Sequence, residues 1–418
     1  MPCRIAILVS LGYNNRMRDM FSKRSEAGSH DQNALARIHE RLATEGRTLK
    51  ELSQSNPTRV NLVHDTSLFE LSSRWNELYT PEPRGLLSAR SALVSHFSTL
   101  RRCVEVENLF LCASTSEGYS WLFKLLCDPG DAVLIPKPGY PLFEHLAALE
   151  NVKTIAYTLE YAHASGWHID IDAIAAALAG QEGARIKALI VINPNNPTGS
   201  YVRRAERSRL LDLSERYGLA LISDEVFFDF PLDRAVERSS FMGERRVLTF
   251  VLDGLSKRLG MPQMKLGWIA LSGPEGGVFA ARRRLELIAD TFLSAGTPIM
   301  NALPGLLARE SEFLSQMLLR IRTNYDLYRE ILEGYEGSPH RVLVCQGGWT
   351  ALVESPAYLD EERAAQALLE VAGISAQPGY FFDFERGVHF AFSLIIPEDK
   401  ARAWCVEYRN FFDTLQME

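Results

Sequence analysis

None of the six cysteines (Cys3, Cys103, Cys112, Cys127, Cys345, Cys405) stands in a CxxC spacing, and most lie in apolar surroundings. That excludes a zinc framework and points to reduced core thiols rather than a disulfide scaffold. Long apolar runs are missing too, for nothing approaches the roughly 18 consecutive apolar residues of a membrane-spanning helix. The stretch from Ile5 to Ser10 is too short for the apolar region of a secretory signal and has no small-residue cleavage site behind it. The expected location is therefore the cytoplasm, with no membrane partner. Positive charge is not in excess: 45 Lys and Arg stand against 52 Asp and Glu, for a net charge of −7 and a pI near 5.8. No nucleic-acid groove is expected from that balance. The basic scatter from Arg16 to Arg24 has acidic neighbours and reads as part of a solvated or frayed N-terminal segment of about 25 residues. Internal repeats and low-complexity linkers are also lacking.

What is present describes a globular chain. The 418 residues are 46% apolar with a mean hydropathy of −0.08, a length that exceeds one ordinary core and predicts two domains. Short apolar runs at 132–136, 188–192, 220–223, 247–251 and 267–271 read continuously rather than alternately, as strands of a parallel sheet buried on both faces do. Helical periods fill the gaps at 117–127, 171–178 and 204–217, and in a long stretch over 274–335 interrupted at Gly296-Thr297-Pro298 and Pro304-Gly305. An amphipathic helix is expected over 32–52. Strands mix with helices over 361–372 and 398–415 towards the C-terminus. The reading is α/β, with a sheet domain over about 60–325 and a smaller domain built from 1–59 and 326–418.

Three polar positions stand at the ends of apolar strands. Lys257 lies in Gly254-Leu255-Ser256-Lys257-Arg258-Leu259-Gly260, Asp224 in Ser223-Asp224-Glu225, and Asn196 in Asn193-Pro194-Asn195-Asn196-Pro197-Thr198-Gly199. In that order they supply what pyridoxal 5'-phosphate requires: an amine for a Schiff base with the aldehyde, a carboxylate to keep the pyridinium nitrogen protonated, and an amide donor for the phenolate oxygen. Ala113-Ser114-Thr115-Ser116, directly before a helix, offers backbone donors and hydroxyls. It reads either as a plain helix cap or as a phosphate cradle using Thr115 and Ser116, with Ser256 as a third contact.

The motifs Asn196-Pro197-Thr198-Gly199, Asp224-Glu225, Ser256-Lys257 and Gly267-Trp268 together resemble those of the class I/II aminotransferases of the fold type I pyridoxal-phosphate superfamily, with similarity from about Leu52 to the C-terminus. The resemblance implies a large domain with a mostly parallel seven-stranded sheet between helices, a smaller α+β domain, and transfer of an amino group between an amino acid, or related amine, and a 2-oxo acid. It also implies that Lys257, Asp224 and Tyr140 carry the chemistry, with Tyr140 stacked on the cofactor ring. Lys265 would be the phosphate cation, where an arginine is usual; a point charge then replaces a two-pronged fork. A homodimer is implied, with Tyr79 reaching the neighbouring subunit's phosphate and Thr297 making a second cross-subunit contact.

Two departures bear on the reaction. Phe227 stands where a tyrosine hydroxyl usually helps to bind the phenolate, so the Schiff base is expected to hold its proton to higher pH. Ala391, in Val388-His389-Phe390-Ala391-Phe392-Ser393, stands where an arginine usually clamps the substrate carboxylate. Three explanations stay open: Arg59, beside Asn56 in the N-terminal loop, or Arg386 binds the carboxylate; the amino donor has none; or the enzyme is a lyase, decarboxylase or ring-forming synthase on the same scaffold. Trp349 and Gly379-Tyr380-Phe381-Phe382 resemble loops that close over the substrate, and their aromatics suit apolar or aromatic side chains.

Overall fold

The computed structural model describes residues 33–62, 76, 81–233, 235–293 and 295–417. Its main sheet has eight strands in the order Leu109–Cys112, Gly267–Ser272, Thr249–Gly254, Ala220–Asp224, Ile186–Ile192, Ala132–Lys137, Lys153–Ala162, Gly166–Ile169. The four neighbours from Thr249–Gly254 to Ala132–Lys137 run parallel, and Lys153–Ala162 continues that direction. Gly267–Ser272 is antiparallel to both of its neighbours. The interior strands are buried residue after residue, because helices cover both faces, and this is why their sequences carry no alternation.

Seven strands were expected and eight are found. The additional one, Gly166–Ile169, folds back as a hairpin on the second half of the ten-residue strand Lys153–Ala162. The middle of that long strand alternates between exposed and buried positions, the signature of a strand with one wet face. The run expected at 247–251 forms a strand at Thr249–Gly254 instead. It tolerates the fully buried Asp253 because Arg258 donates to that carboxylate.

The helix expected over 32–52 is shorter. Asn33 caps Ala34–Thr44 by accepting from Ala36 N at 2.7 Å, after which Lys50–Glu51 pairs in parallel with Ile374–Ser375. The long helical stretch divides into Glu275–Phe292, Thr297–Ala308 and Glu310–Glu333. The break at Gly296 falls where expected, whereas Pro304 lies inside a helix and the second break comes at Arg309. Burial of Leu303, Leu306 and Leu307 keeps the helix continuous across the missing proline N–H.

The second sheet is antiparallel, in the order Arg341–Val342, Thr350–Ser355, Val388–Ser393, Gln377–Pro378. Helix Glu310–Glu333 runs past residue 325 and braces this sheet. Asn324 Nδ2 donates to the Leu394 and Ile396 carbonyls at 2.8 Å each, and Tyr328 OH donates to Ser393 O at 2.8 Å. None of the described helices is long and apolar enough to cross a membrane.

Candidate active site

Three parallel strands end side by side and deliver the three polar positions together. Ile192 is in register with Asp224, and Asp224 with Leu252. The Asn193–Asn196 turn follows the first strand, and the short helix Leu255–Arg258 carries Lys257 beyond the third. The carboxyl ends of parallel strands are where open α/β sheets place their ligands.

Asp224 is 7% exposed. Its carboxylate accepts from Tyr119 OH at 3.2 Å and from Val226 N at 3.2 Å, yet burial outweighs these donors and pushes its pKa up to about 7. Among the described residues no cation forms an ion pair with it. A buried carboxylate that lacks a counter-charge of its own fits a protonated pyridine nitrogen. Lys257 is half-buried; burial brings its amine down to about 8, while the charge of Asp224 acts in the opposite sense. Tyr119 was not anticipated from the sequence, since in the helix Thr115–Leu126 it looks like one more apolar-face aromatic beside Leu122 and Phe123.

The start of that helix is built to receive an anion. Ser114 is the cap, its Oγ accepting from Glu117 N at 3.2 Å, and Glu117 Oε2 accepts from Ala113 N at 2.6 Å. Ser114 thus takes the capping role, and Thr115 and Ser116 stand half-buried in the first turn. Gly267 makes the approach possible: a Cβ there would lie 3.1 Å from Ser114 C and 3.2 Å from Thr115 N. Gly254, its partner across the strands, would collide with Gly267 in the same way. Ser256 is half-buried on the Lys257 helix. Lys265 is exposed, with its charge felt at Cys112, whose Sγ donates to Ser114 O. Helix N–H groups, hydroxyls and a nearby cation are the donor set that a phosphate needs.

Asn196 is half-buried in a turn that is tied down on two sides. Asn195 Nδ2 donates to Pro138 O and Thr198 Oγ1, both at 3.0 Å. Gly199 (φ 69°) packs so tightly that a Cβ would fall 2.2 Å from Cys345 Sγ. Tyr140 is 36% exposed and edges onto Phe143, which in turn edges onto Tyr119; its turn is therefore linked by packing to the Asp224 pocket.

Beneath Lys257 lies a charged cluster without counterpart in the sequence motifs. Arg258, 3% exposed, pairs with Asp253, Asp229 and Glu310, while Arg102 also holds Asp229 and His96 also meets Glu310 at 2.7 Å. Four elements and the loops bearing Arg102 and Asp229 meet there, and the cluster fixes the short helix that presents Lys257.

Above Lys257 are aromatic rings. Trp349 and Phe227 face each other edge-on, 5.4 Å between centroids, with Phe230 behind Trp349 at 5.2 Å. The loop carrying Trp349 is bonded to the first sheet's loop through Gly348 N to Phe230 O at 2.9 Å and Leu232 N to Gln346 O at 2.8 Å. Of the residues proposed for substrate, only Trp349 joins this cluster. Asn56 is buried, and its Oδ1 accepts from Thr58 N at 3.0 Å and Thr58 Oγ1 at 2.7 Å. Arg59 and Arg386 are exposed, and among the described contacts neither touches Lys257, Asp224 or Tyr140. Ala391 is 2% exposed opposite Leu352 in the second sheet. Tyr380 N and His389 N both donate to Glu361, at 2.7 Å, so one carboxylate holds the Gly379–Phe382 turn. Thr297 opens its helix, and Tyr79 lies outside the described residues.

The family profile described as aminotransferase class I and II matches residues 53–393. Glutamate-pyruvate aminotransferase AlaA of Escherichia coli (strain K12) is 29% identical over 223 residues, 53% of this chain and 54% of that protein. S-alkyl-thiohydroximate lyase SUR1 of Arabidopsis thaliana is 32% identical over 253 residues, 58% of this chain and 52% of that protein. The chain thus spans about half the length of the curated relatives it matches. In three dimensions the alanine aminotransferase from Pyrococcus furiosus superimposes with a TM-score of 0.84 at 21% identity, over 94% of this chain and 100% of that one. An aminotransferase from Escherichia coli gives 0.81 at 22% identity, over 95% and 99%; both show the same fold. With the profile covering most of its length, the chain belongs to the aminotransferase class I and II family.

Proposed function

We propose that the protein is a pyridoxal-phosphate-dependent aminotransferase that moves an amino group between an amino acid, or related amine, and a 2-oxo acid. The observation that carries this reading is the buried Asp224 carboxylate, held by Tyr119 and Val226 and without an ion pair among the described residues, at the end of the strand between those leading to Asn196 and Lys257. When bound, pyridoxal phosphate supplies an aldehyde that captures amines and a conjugated ring that accepts an electron pair from the substrate carbon.

The chain's residues divide the remaining work. Asp224 holds the pyridine nitrogen in its charged form, Asn196 donates to the phenolate oxygen, and Thr115, Ser116, Ser256 and Lys265 bind the phosphate. Tyr140 covers one ring face. Lys257 Nζ accepts a proton from the substrate carbon and returns it to the acceptor carbon, and with burial bringing the amine down to about 8 roughly a fifth of it is neutral near pH 7.4, against well under a hundredth for an ordinary lysine, as a proton carrier requires. Phe227 and Trp349 keep water from that amine. The division into 60–325 and a smaller unit from 1–59 and 326–418 would set the substrate between the two sheets, with Trp349 supplied by the second. A cytoplasmic location accords with the buried, unpaired Cys112, Cys345 and Cys405, and a homodimer with Tyr79 and Thr297 as contacts across subunits belongs to the same proposal.

A second reading, a lyase or synthase on the same scaffold, is favoured by one observation. Ala391 faces Leu352 in a buried strand pair, and the two candidate arginines are exposed, so a substrate carboxylate has no evident fork among the described residues. Adding amino acids and simple amines singly to the loaded enzyme, without acceptor, separates the readings. A transaminase loses the absorbance of lysine-bound cofactor and accumulates pyridoxamine phosphate; product formed with that absorbance intact identifies the lyase. Lys257→Ala is expected to abolish the lysine-bound absorbance while some cofactor stays bound, and an unchanged spectrum would refute the assignment.

A further inference from the structure

Lys257 Nζ lies 5.4 Å from the centroid of the Phe227 ring and 5.2 Å from that of Trp349. Both are inside the distance of about 6 Å at which the negative face of an aromatic ring attracts a cation, and indole is the strongest such ring. The rings are 9% and 3% exposed and are not free to drift. Trp349 is bonded through its carbonyl to Leu394 N at 2.8 Å, its loop is bridged to Phe230 and Pro231, and Phe230 backs its face.

We propose that Phe227 and Trp349 form a two-ring seat for the Lys257 ammonium, making Trp349 a further catalytic residue that steadies the proton on Nζ between its acceptance and its return. The use of that proton rests on the aminotransferase reading, whereas the seat itself is a property of the chain. Phe227 suits the task because its ring brings no hydroxyl to compete for the amine.

The charges around Nζ allow this assignment. Asp224, from the neighbouring strand end, is the charged group whose field acts on Lys257. Arg258, the next residue, is turned away into Asp253, Asp229 and Glu310. Burial opposes the ammonium, and the rings together with Asp224 oppose burial. A pair of leucines would keep Nζ as dry and lose only the attraction.

The test is the pH dependence of Lys257 acetylation by trace acetic anhydride, read by mass spectrometry on the full-length chain both without cofactor and loaded with pyridoxamine phosphate. Trp349→Leu and Phe227→Leu are each expected to lower the titration midpoint of Lys257 by about half to one pH unit, and Trp349→Phe by less. Fluorotryptophan incorporation, which weakens the ring face at nearly constant volume, should lower the midpoint stepwise with fluorine number and guards against a leucine variant that does not fold. Midpoints that stay with the wild type, or rise, in the leucine variants and the fluorinated series reduce the rings to apolar packing and overturn the seat. Failure to form pyridoxamine phosphate from any amine would overturn the aminotransferase reading and leave the titration result standing.

Discussion

Replacing Arg258 by methionine should remove more stability than any other single change around the lysine. The guanidinium is 3% exposed and joins Asp253 and Glu310, whose side chains are 3% and 9% exposed. Of the three carboxylates it serves, Asp229 keeps Arg102 and Glu310 keeps His96, while Asp253 is left with Gly254 N. The cost is therefore close to that of one uncompensated buried charge, about 3–5 kcal/mol, where an exposed pair would cost about 0–1 kcal/mol. Urea unfolding followed by near-ultraviolet circular dichroism reads it as a lowered midpoint of the first transition. Two further results are required. Asp253→Asn in the Arg258→Met background should recover part of the loss, because the charge left unpaired is removed with it. The deficit should also shrink as pH falls: Asp253 is already raised by burial, losing Arg258 raises it further, and the penalty for a raised carboxyl vanishes on protonation and grows as pH rises. An Arg258→Met loss below about 1 kcal/mol, or one without rescue by Asp253→Asn, would refute the account of the cluster.

Tyr119→Phe removes one of the two donors to Asp224 and should weaken cofactor binding about tenfold, in line with a hydrogen bond to a charged group; an unchanged Kd by fluorescence titration counts against the role. Phe227→Tyr restores a hydroxyl near the lysine and should move the pH midpoint of the loaded enzyme's visible spectrum downward by about one unit, with no movement arguing that the hydroxyl does not reach the cofactor. His340, 2% exposed, has its pKa lowered by burial to about 4. Its folded pKa lies below the unfolded value of about 6.5, so its contribution is complete above that value and is lost as pH falls towards 4, up to about 3 kcal/mol. His340→Phe should flatten the acid limb of a stability profile over that window, and an unaltered limb would assign the acid loss to other groups.

The parts of the fold that the sequence revealed share a physical cause. Strands buried on both faces must be apolar throughout, so Ile186–Ile192 and Ala220–Asp224 announced themselves, and so did the polar residues that interrupt them at their ends. Lys153–Ala162 hid because a strand with one wet face carries polar residues on that side. Pro304 misled because tertiary burial overrode a local breaking signal. Tyr119 and the Arg258 cluster were illegible for a different reason: their partners lie 105 and 52 residues away, and no local pattern encodes such a meeting.

The bridge from Gly348 N to Phe230 O, with Pro231 against Gly347, holds the second-sheet loop to the first-sheet loop at fixed separation. The width of the pocket beside Lys257 is consequently the remainder after two side chains, one from each lobe, are subtracted from a constant span. Enlarging residue 227 beyond the single hydroxyl of tyrosine narrows the pocket unless residue 349 is trimmed, and trimming both opens a channel neither change opens alone. Redesign of substrate scope should vary the two positions as a pair, and their effects on specificity should be far from additive.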